Sequence, residues 1–195
     1  MNRKIVLALL LALVAAAPAA HGQNAFGVCW TPALPLGDTD SFAPGLTGRG
    51  IGFDWRAFRS REFALGASFG WSVFHETTSG TFDNGTVAVT ANRWNTINAA
   101  PIYVSAFRYG QASRREPRWF AGLNAGTVWL ERRTLVGLLE FKDTNWHLAV
   151  APEVGVQLPW DAFLGYAALR WNVAFSAGDV DTQQWLELRL GFGLD

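Results

Sequence analysis

Downstream of the first 22 residues the chain has two histidines, His75 and His147. His75 precedes Glu76 and lies near Ser68, Ser72 and Ser79, the residue types from which a hydroxyl nucleophile, a base and a carboxylate are assembled. No spacing among them demands that use, so His75 reads as a histidine without a catalytic role, and no enzyme activity is expected. Cys29 is the only cysteine, which precludes an intramolecular disulfide, and no Cys/His spacing matches a metal site. Asp38, Asp40, Asp83, Asp179 and Asp181 follow no calcium-loop pattern. The glycine-rich stretches are not followed by Gly-Lys-Ser/Thr, so they are not phosphate loops. Asn84-Gly85-Thr86 reads as a turn, and no cofactor is expected. What stands out is a set of charges, Asp54, Arg56, Glu153, Arg170, Glu187 and Arg189, set in segments otherwise built from apolar and small residues.

Those segments alternate with a period of two, the mark of half-buried strands. From Asn145 to Trp160 the even positions (Trp146, Leu148, Val150, Pro152, Val154, Val156, Leu158 and Trp160) are all apolar, and the odd ones are polar or small. Phe53 and Trp55 oppose Asp54 and Arg56; Leu169 and Trp171 oppose Arg170 and Asn172; Leu186, Leu188 and Leu190 oppose Glu187 and Arg189. The same pattern runs through Ala25–Leu36, Phe63–Glu76 and Trp119–Arg133. Trp94–Gly110 is apolar on both faces and its orientation stays open. These are eight candidate strands, each longer than the ~9–11 residues a tilted strand needs to cross a bilayer. Pro32, Pro101 and Pro152 cannot donate to a ladder and are expected at bulges or rims.

The connectors alternate in length. Arg59–Glu62 and Pro159–Ala162 are short and Gln111–Arg118 is moderate and basic, whereas Gly37–Leu46, Thr77–Arg93, Thr134–Thr144 and Ser176–Thr182 are expected as longer loops at the opposite end. Residues 1–22 carry a basic start, an apolar run and a small-residue exit, the pattern of a secretory signal peptide, with cleavage after Gly22 or Ala19. The mature domain is then 23–195. The chain is 50% hydrophobic and 16% charged with no net charge, which excludes disorder and argues against a nucleic-acid partner.

Ten tryptophans and only two lysines, Lys4 and Lys142, are unusual for a soluble domain. The large apolar face has no charged counterpart for water; the face behind it is Gly, Ala, Ser and Asn with sparse charges. Such a chain suits a narrow closed barrel with its apolar face to lipid and its small face inside. Leu148, Val150, Val154 and Val156 are then expected to meet lipid, and Gly155→Ser to be far milder than Val154→Arg. Trp119 and Trp160 fall at the short-turn end and Trp129 and Trp146 near the long loops, as two interfacial girdles. The inward charges are expected to pair. With Trp160-Asp161 as turn centre, Ala151 faces Arg170, and Glu153 lies one diagonal step away. Arg170 is expected to meet Glu153, Glu187 or both, and Arg189 and Arg56 to share Asp54 or Glu187.

Trp30-Thr31-Pro32-Ala33-Leu34-Pro35-Leu36-Gly37-Asp38-Thr39, Arg49-Gly50-Ile51-Gly52-Phe53-Asp54, Gly70-Trp71-Ser72-Val73-Phe74 and Asn145-Trp146-His147-Leu148-Ala149-Val150-Ala151-Pro152-Glu153-Val154-Gly155 together resemble the outer-membrane-protein β-barrel family, the small eight-stranded barrels of the OmpA/OmpX kind from Gram-negative bacteria. The resemblance spans the mature chain and implies an all-β, eight-stranded, antiparallel, up-and-down transmembrane barrel in the outer membrane. One departure is the end of the chain, Gly191-Phe192-Gly193-Leu194-Asp195, where such barrels commonly finish on an aromatic residue. The resemblance further implies contact with outer-membrane lipid and lipopolysaccharide, delivery by periplasmic chaperones and the barrel-assembly machinery, and a monomer. The external partner is unknown. The function expected first is a structural or interaction role through the outer loops with a plugged lumen. The alternatives are a narrow conduit for small hydrophobic molecules and a lipid A-modifying enzyme.

Overall fold

The computed structural model describes residues 24–83, 88–110, 116–160 and 163–194; the expected signal peptide lies outside them. Its strands are β1 (Asn24–Trp30), β2 (Ala33–Gly37), β3 (Gly50–Phe58), β4 (Phe63–Asp83), β5 (Ala88–Tyr109), β6 (Arg118–Val136), β7 (Leu139–Trp160), β8 (Phe163–Ala174) and β9 (Gln183–Leu194), with one short helix, α1 (Asp38–Phe42). All neighbours pair antiparallel. The ring closes because β1 pairs with β3 on one side and β9 on the other, and β2 continues along β9. β1 and β2 are two halves of one stave, so the barrel has eight.

The break in that stave falls at Thr31-Pro32. Toward β9 the register is unchanged across it: Trp30 faces Leu190, Ala33 faces Glu187, and the Leu188 N–H still donates to the Pro32 carbonyl at 2.9 Å. Toward β3 one extra residue enters, since Trp30 faces Ile51 while Ala33 faces Thr47. The extra residue is on the 47–51 side, so Pro32 sits opposite a bulge, in line with the expectation that it marks one. Pro101 and Pro152 do not, and they are not at a rim either. Each lies in mid-strand, where one ladder lapses and resumes in the same register: β4–β5 between Phe69↔Ile102 and Ser72↔Ala99, and β7–β8 between Val150↔Val173 and Glu153↔Arg170. The other ladder of each proline is intact, at Pro101↔Val128 and Leu123↔Pro152. A closed ring holds the strand on both sides, so a missing donor costs a local gap and no shift in register.

Large residues on the expected lipid face point outward, including Phe53, Phe69, Leu148, Val154, Leu169, Leu188 and Phe192. Val150 and Val156 share that face at intermediate exposure. β5 turns Tyr103, Ser105, Phe107 and Tyr109 inward and Ile102, Ala106 and Arg108 outward, which supplies the orientation the sequence left open. Trp129 faces Trp146 across β6–β7 and touches Trp71 with ring centroids 5.7 Å apart, forming the upper belt; Trp119 is 59% exposed at the other end. The side chain of Trp160 lies outside the described residues.

Two expected loops are largely strand. Thr77–Arg93 is built from the upper parts of β4 and β5, paired as far as Asp83↔Ala88, and Thr134–Thr144 from β6 and β7, which turn at Gly137-Leu138 with Gly137 at φ 59°. β5 and β6 stay paired up to Arg93↔Val136, so β4–β7 rise beyond the rim as one four-stranded sheet. Threonine-rich and charged stretches outside lipid still gain from satisfying their backbone groups in a ladder.

A charged lumen between two apolar layers

The alternation that sends Phe53, Leu169 and Leu188 to lipid sends their neighbours inward, and closure brings them together in mid-barrel. The turn between β7 and β8 is centred one residue later than expected. Trp160 faces Phe163, Leu158 faces Gly165, and Glu153 stands directly opposite Arg170. On its other side Arg170 faces Glu187.

The side chains of Arg56, Arg170 and Arg189 and of Asp54, Glu153 and Glu187 are almost fully buried, so three guanidinium groups meet three carboxylates with no net charge. Arg170 Nε donates to Glu153 Oε2 at 2.7 Å. Its Nη2 lies 2.6 Å from that oxygen and 3.6 Å from Asp54 Oδ1, as ion-pair contacts without hydrogen-bond alignment. Its Nη1 donates to Ser68 Oγ at 3.3 Å. Arg189 Nη2 reaches both Asp54 oxygens at 2.9 Å and its Nη1 pairs with Glu187 Oε1. Arg56 differs from expectation. It meets neither Asp54 nor Glu187 but pairs with Glu153 Oε1 at 3.2 Å, because it crosses the lumen from β3 to β7. The side chains of Arg170 and Glu187, though register partners, are engaged with other groups.

Sequence reasoning did not assign roles to the groups that complete this network. The three tyrosines of the chain all turn inward: Tyr166 donates to Asp54 Oδ2, Tyr103 to Asn172 Oδ1 at 3.1 Å, and the Tyr109 hydroxyl accepts from Arg56 Nη1 at 2.8 Å. Asn124 donates to Glu153 Oε2 at 3.3 Å, and Asn172 to Glu187 Oε2 at 3.2 Å. Strand phase alone places Tyr166 and Asn172 on the face of Arg170, and that signal was available. Glycines leave the space. A Cβ on Gly52 would lie 2.9 Å from Arg189 Nη2, and one on Gly191 2.6 Å from the Tyr166 ring.

Apolar side chains pack in the lumen above and below the charges. Phe74, Ile97, Val128, Leu130 and Trp185 pack together toward the long-loop end, with Phe42 of α1 against them. Toward the short-turn end Phe107, Tyr109 and Phe120 pack with Phe58, and the Arg56 guanidinium stacks 4.3 Å from the Phe107 ring centroid and 4.5 Å from that of Phe120. A recess lined by Asp54, Arg56, Gln157 and Tyr166 holds about one water-sized space.

The sequence-level catalytic set does not assemble. Successive strand residues point to opposite faces, so His75 is exposed outside, hydrogen-bonded with Thr96 and Thr77, while Ser68 and Ser72 are buried inside. Ser79 binds Asn92 instead. His147 is buried, with Nδ1 2.7 Å from the Phe175 carbonyl. Among the described residues no group of His, Cys, Asp and Glu is arranged to hold a metal ion.

A closed eight-staved antiparallel barrel with an apolar exterior is the architecture of the small outer-membrane barrels. Solved structures agree with that assignment of fold. The attachment invasion locus protein Ail of Yersinia pestis superposes with a TM-score of 0.55 at 11% identity, covering 89% of this chain and 97% of that one. Ail in complex with the heparin analogue sucrose octasulfate gives 0.54 at 11% identity, with the same coverage of both chains. Neisserial surface protein A gives 0.53 at 11% identity, covering 90% and 97%. No protein-family model matches the chain, and no curated protein matches it.

Proposed function

We propose that this protein is an integral outer-membrane barrel of a Gram-negative bacterium, plugged in its lumen, that acts as a structural or interaction protein through the sheet and loops beyond its long-loop rim. The observation that carries this reading is the filled interior: an ion-paired layer held between two aromatic and aliphatic layers. Eight staves leave an interior just wide enough for side chains, and here the side chains occupy it. A conduit for hydrophobic molecules would have to displace Phe74 and Trp185 as well as the charges. The lipid-modifying alternative is weakened by the opposite orientation of His75 and Ser72. Outer-membrane lipid and lipopolysaccharide are the partners of the exterior, and chaperones and the assembly machinery those of biogenesis.

The β4–β7 sheet supports the interaction role. β3 and β8 do not follow β4 and β7 to their tips, so both outer edges carry unpaired backbone groups that suit an added strand. The Ail complex contains a polysulfated ligand, but this end of the present chain carries Asp38, Asp40, Glu140, Asp143, Asp179 and Asp181, and a polyanion is not proposed for it.

The test is the refolded mature chain in planar bilayers. It should migrate differently on gels before and after heating and show no steady single-channel conductance. A stable ohmic conductance would overturn the plugged reading, and a protein soluble without detergent would overturn the membrane reading.

A further inference from the structure

We propose that the short-turn end of the barrel binds the phosphate of an anionic phospholipid, through Arg108 and Arg61 beside the indole of Trp119; the inference rests on the membrane reading above. Among the described residues this end carries Arg59, Arg61, Arg108 and Arg118 against Glu62 and Glu116, the reverse of the acid-rich opposite end. Arg108 is exposed, and strand phase places it on the lipid-facing side of β5, in line with Ile102 and Ala106. Its ladder partners are Phe63 on β4, itself exposed, and Ala121 on β6. Two residues beyond Arg108, just past the end of β5, a Cβ on Gly110 would run into the Trp119 ring, so the indole lies across the chain there. The β3–β4 turn is drawn to the same corner: Arg118 Nη2 donates to the Arg61 carbonyl at 2.7 Å, and the Tyr109 N–H donates to the Glu62 carbonyl at 2.8 Å.

An outward arginine among exposed aromatic residues at the end of a spanning strand lies at headgroup depth, where its stem packs on apolar surface and its head meets phosphate. Guanidinium groups bind phosphate through a planar fork, and among the described residues this end carries no lysine. An acidic protein docking on the turns would be met by Arg61 but has no reason to reach the flank of the barrel where Arg108 and Trp119 stand. That position favours lipid.

The experiment uses the mature chain refolded into phosphatidylcholine vesicles doped with spin-labelled phosphatidylglycerol or spin-labelled phosphatidylcholine. Phosphatidylglycerol should associate about fivefold more strongly at low salt, the factor expected for one arginine at an anionic surface, and the preference should shrink at high salt. In the R61Q/R108Q variant it should fall toward equality while heat-modifiable migration persists. Equal association of both lipids with the unaltered chain, or a preference unchanged in the variant, overturns the proposal. So does binding of an acidic periplasmic protein lost in the variant without any lipid preference. Failure to insert into neutral vesicles at all is a different result, and it defeats the membrane reading itself.

Discussion

Arg170 and Tyr166 both serve the buried carboxylates, but unequally. Arg170 neutralises Glu153 and reaches Asp54, so Arg170→Ala removes a buried charge from a balanced set and is expected to destabilise by about 3–5 kcal/mol. Tyr166→Phe removes one neutral donor from Asp54, which keeps Arg189, and should cost about 1–3 kcal/mol. Urea unfolding in detergent measures both, and the ranking fails if Tyr166→Phe is the worse variant. Glu153 also binds Arg56, and Glu187 binds Arg189 rather than Arg170. Removing Glu153 to rescue Arg170→Ala would therefore leave Arg56 without its carboxylate, and removing Glu187 would take one of two carboxylates from Arg189, so the rescue should be small. The same residue-scale detail reverses one sequence expectation. Gly155→Ser should not be mild, because a Cβ there would lie 2.5 Å from the Ala167 carbonyl and 2.7 Å from Phe120.

Along β7, exposure to lipid and depth separate. Val154 lies well below Trp146, whereas Leu148 is the next outward residue after it and stands at the upper belt. Val154→Arg is expected to cost about 2–4 kcal/mol and Leu148→Arg only about 0–1, since the penalty for a charge decays toward the interface. Equal costs would mean that the belt has been placed wrongly. The prolines also belong to this scale. Because Pro101 and Pro152 each interrupt one ladder only, replacing either by valine should leave the barrel's heat-modifiable migration intact.

For the molecule as a whole, the barrel and the sheet above it should be separable. Shortening the β6–β7 hairpin by joining Arg133 to Lys142 through a two-residue turn removes Leu138, Leu139 and Phe141, all strongly exposed, and one contact to an inward residue, the Thr134 hydroxyl on Asn95, but none of the charged or apolar lumen layers. The shortened chain is expected to refold with the same heat-modifiable migration. Loss of folding would show that the hairpin contributes to closure.

Much of this was written locally. A strand's side chains alternate whatever its neighbours are, so Phe53 against Asp54, Leu169 against Arg170 and Leu188 against Arg189 could be sorted to opposite faces before any strand was paired. The order of short and long connectors likewise indicated the up-and-down course. Trp94–Gly110 resisted because both of its faces are apolar: Tyr103 and Phe107 fill the lumen while Ile102 meets lipid, and hydrophobicity alone does not distinguish those two environments. The cross-lumen partners were beyond reach for another reason. That Arg56 meets Glu153, that Arg189 meets Asp54, and that Tyr166 finishes Asp54 depend on the register of β7 with β8 and on that with which β1 closes against β9. A shift of two residues in either preserves every in/out assignment and changes the pairs made across the shifted strands. Alternation is a property of each strand; the contacts belong to the closed ring, and only closure decides them.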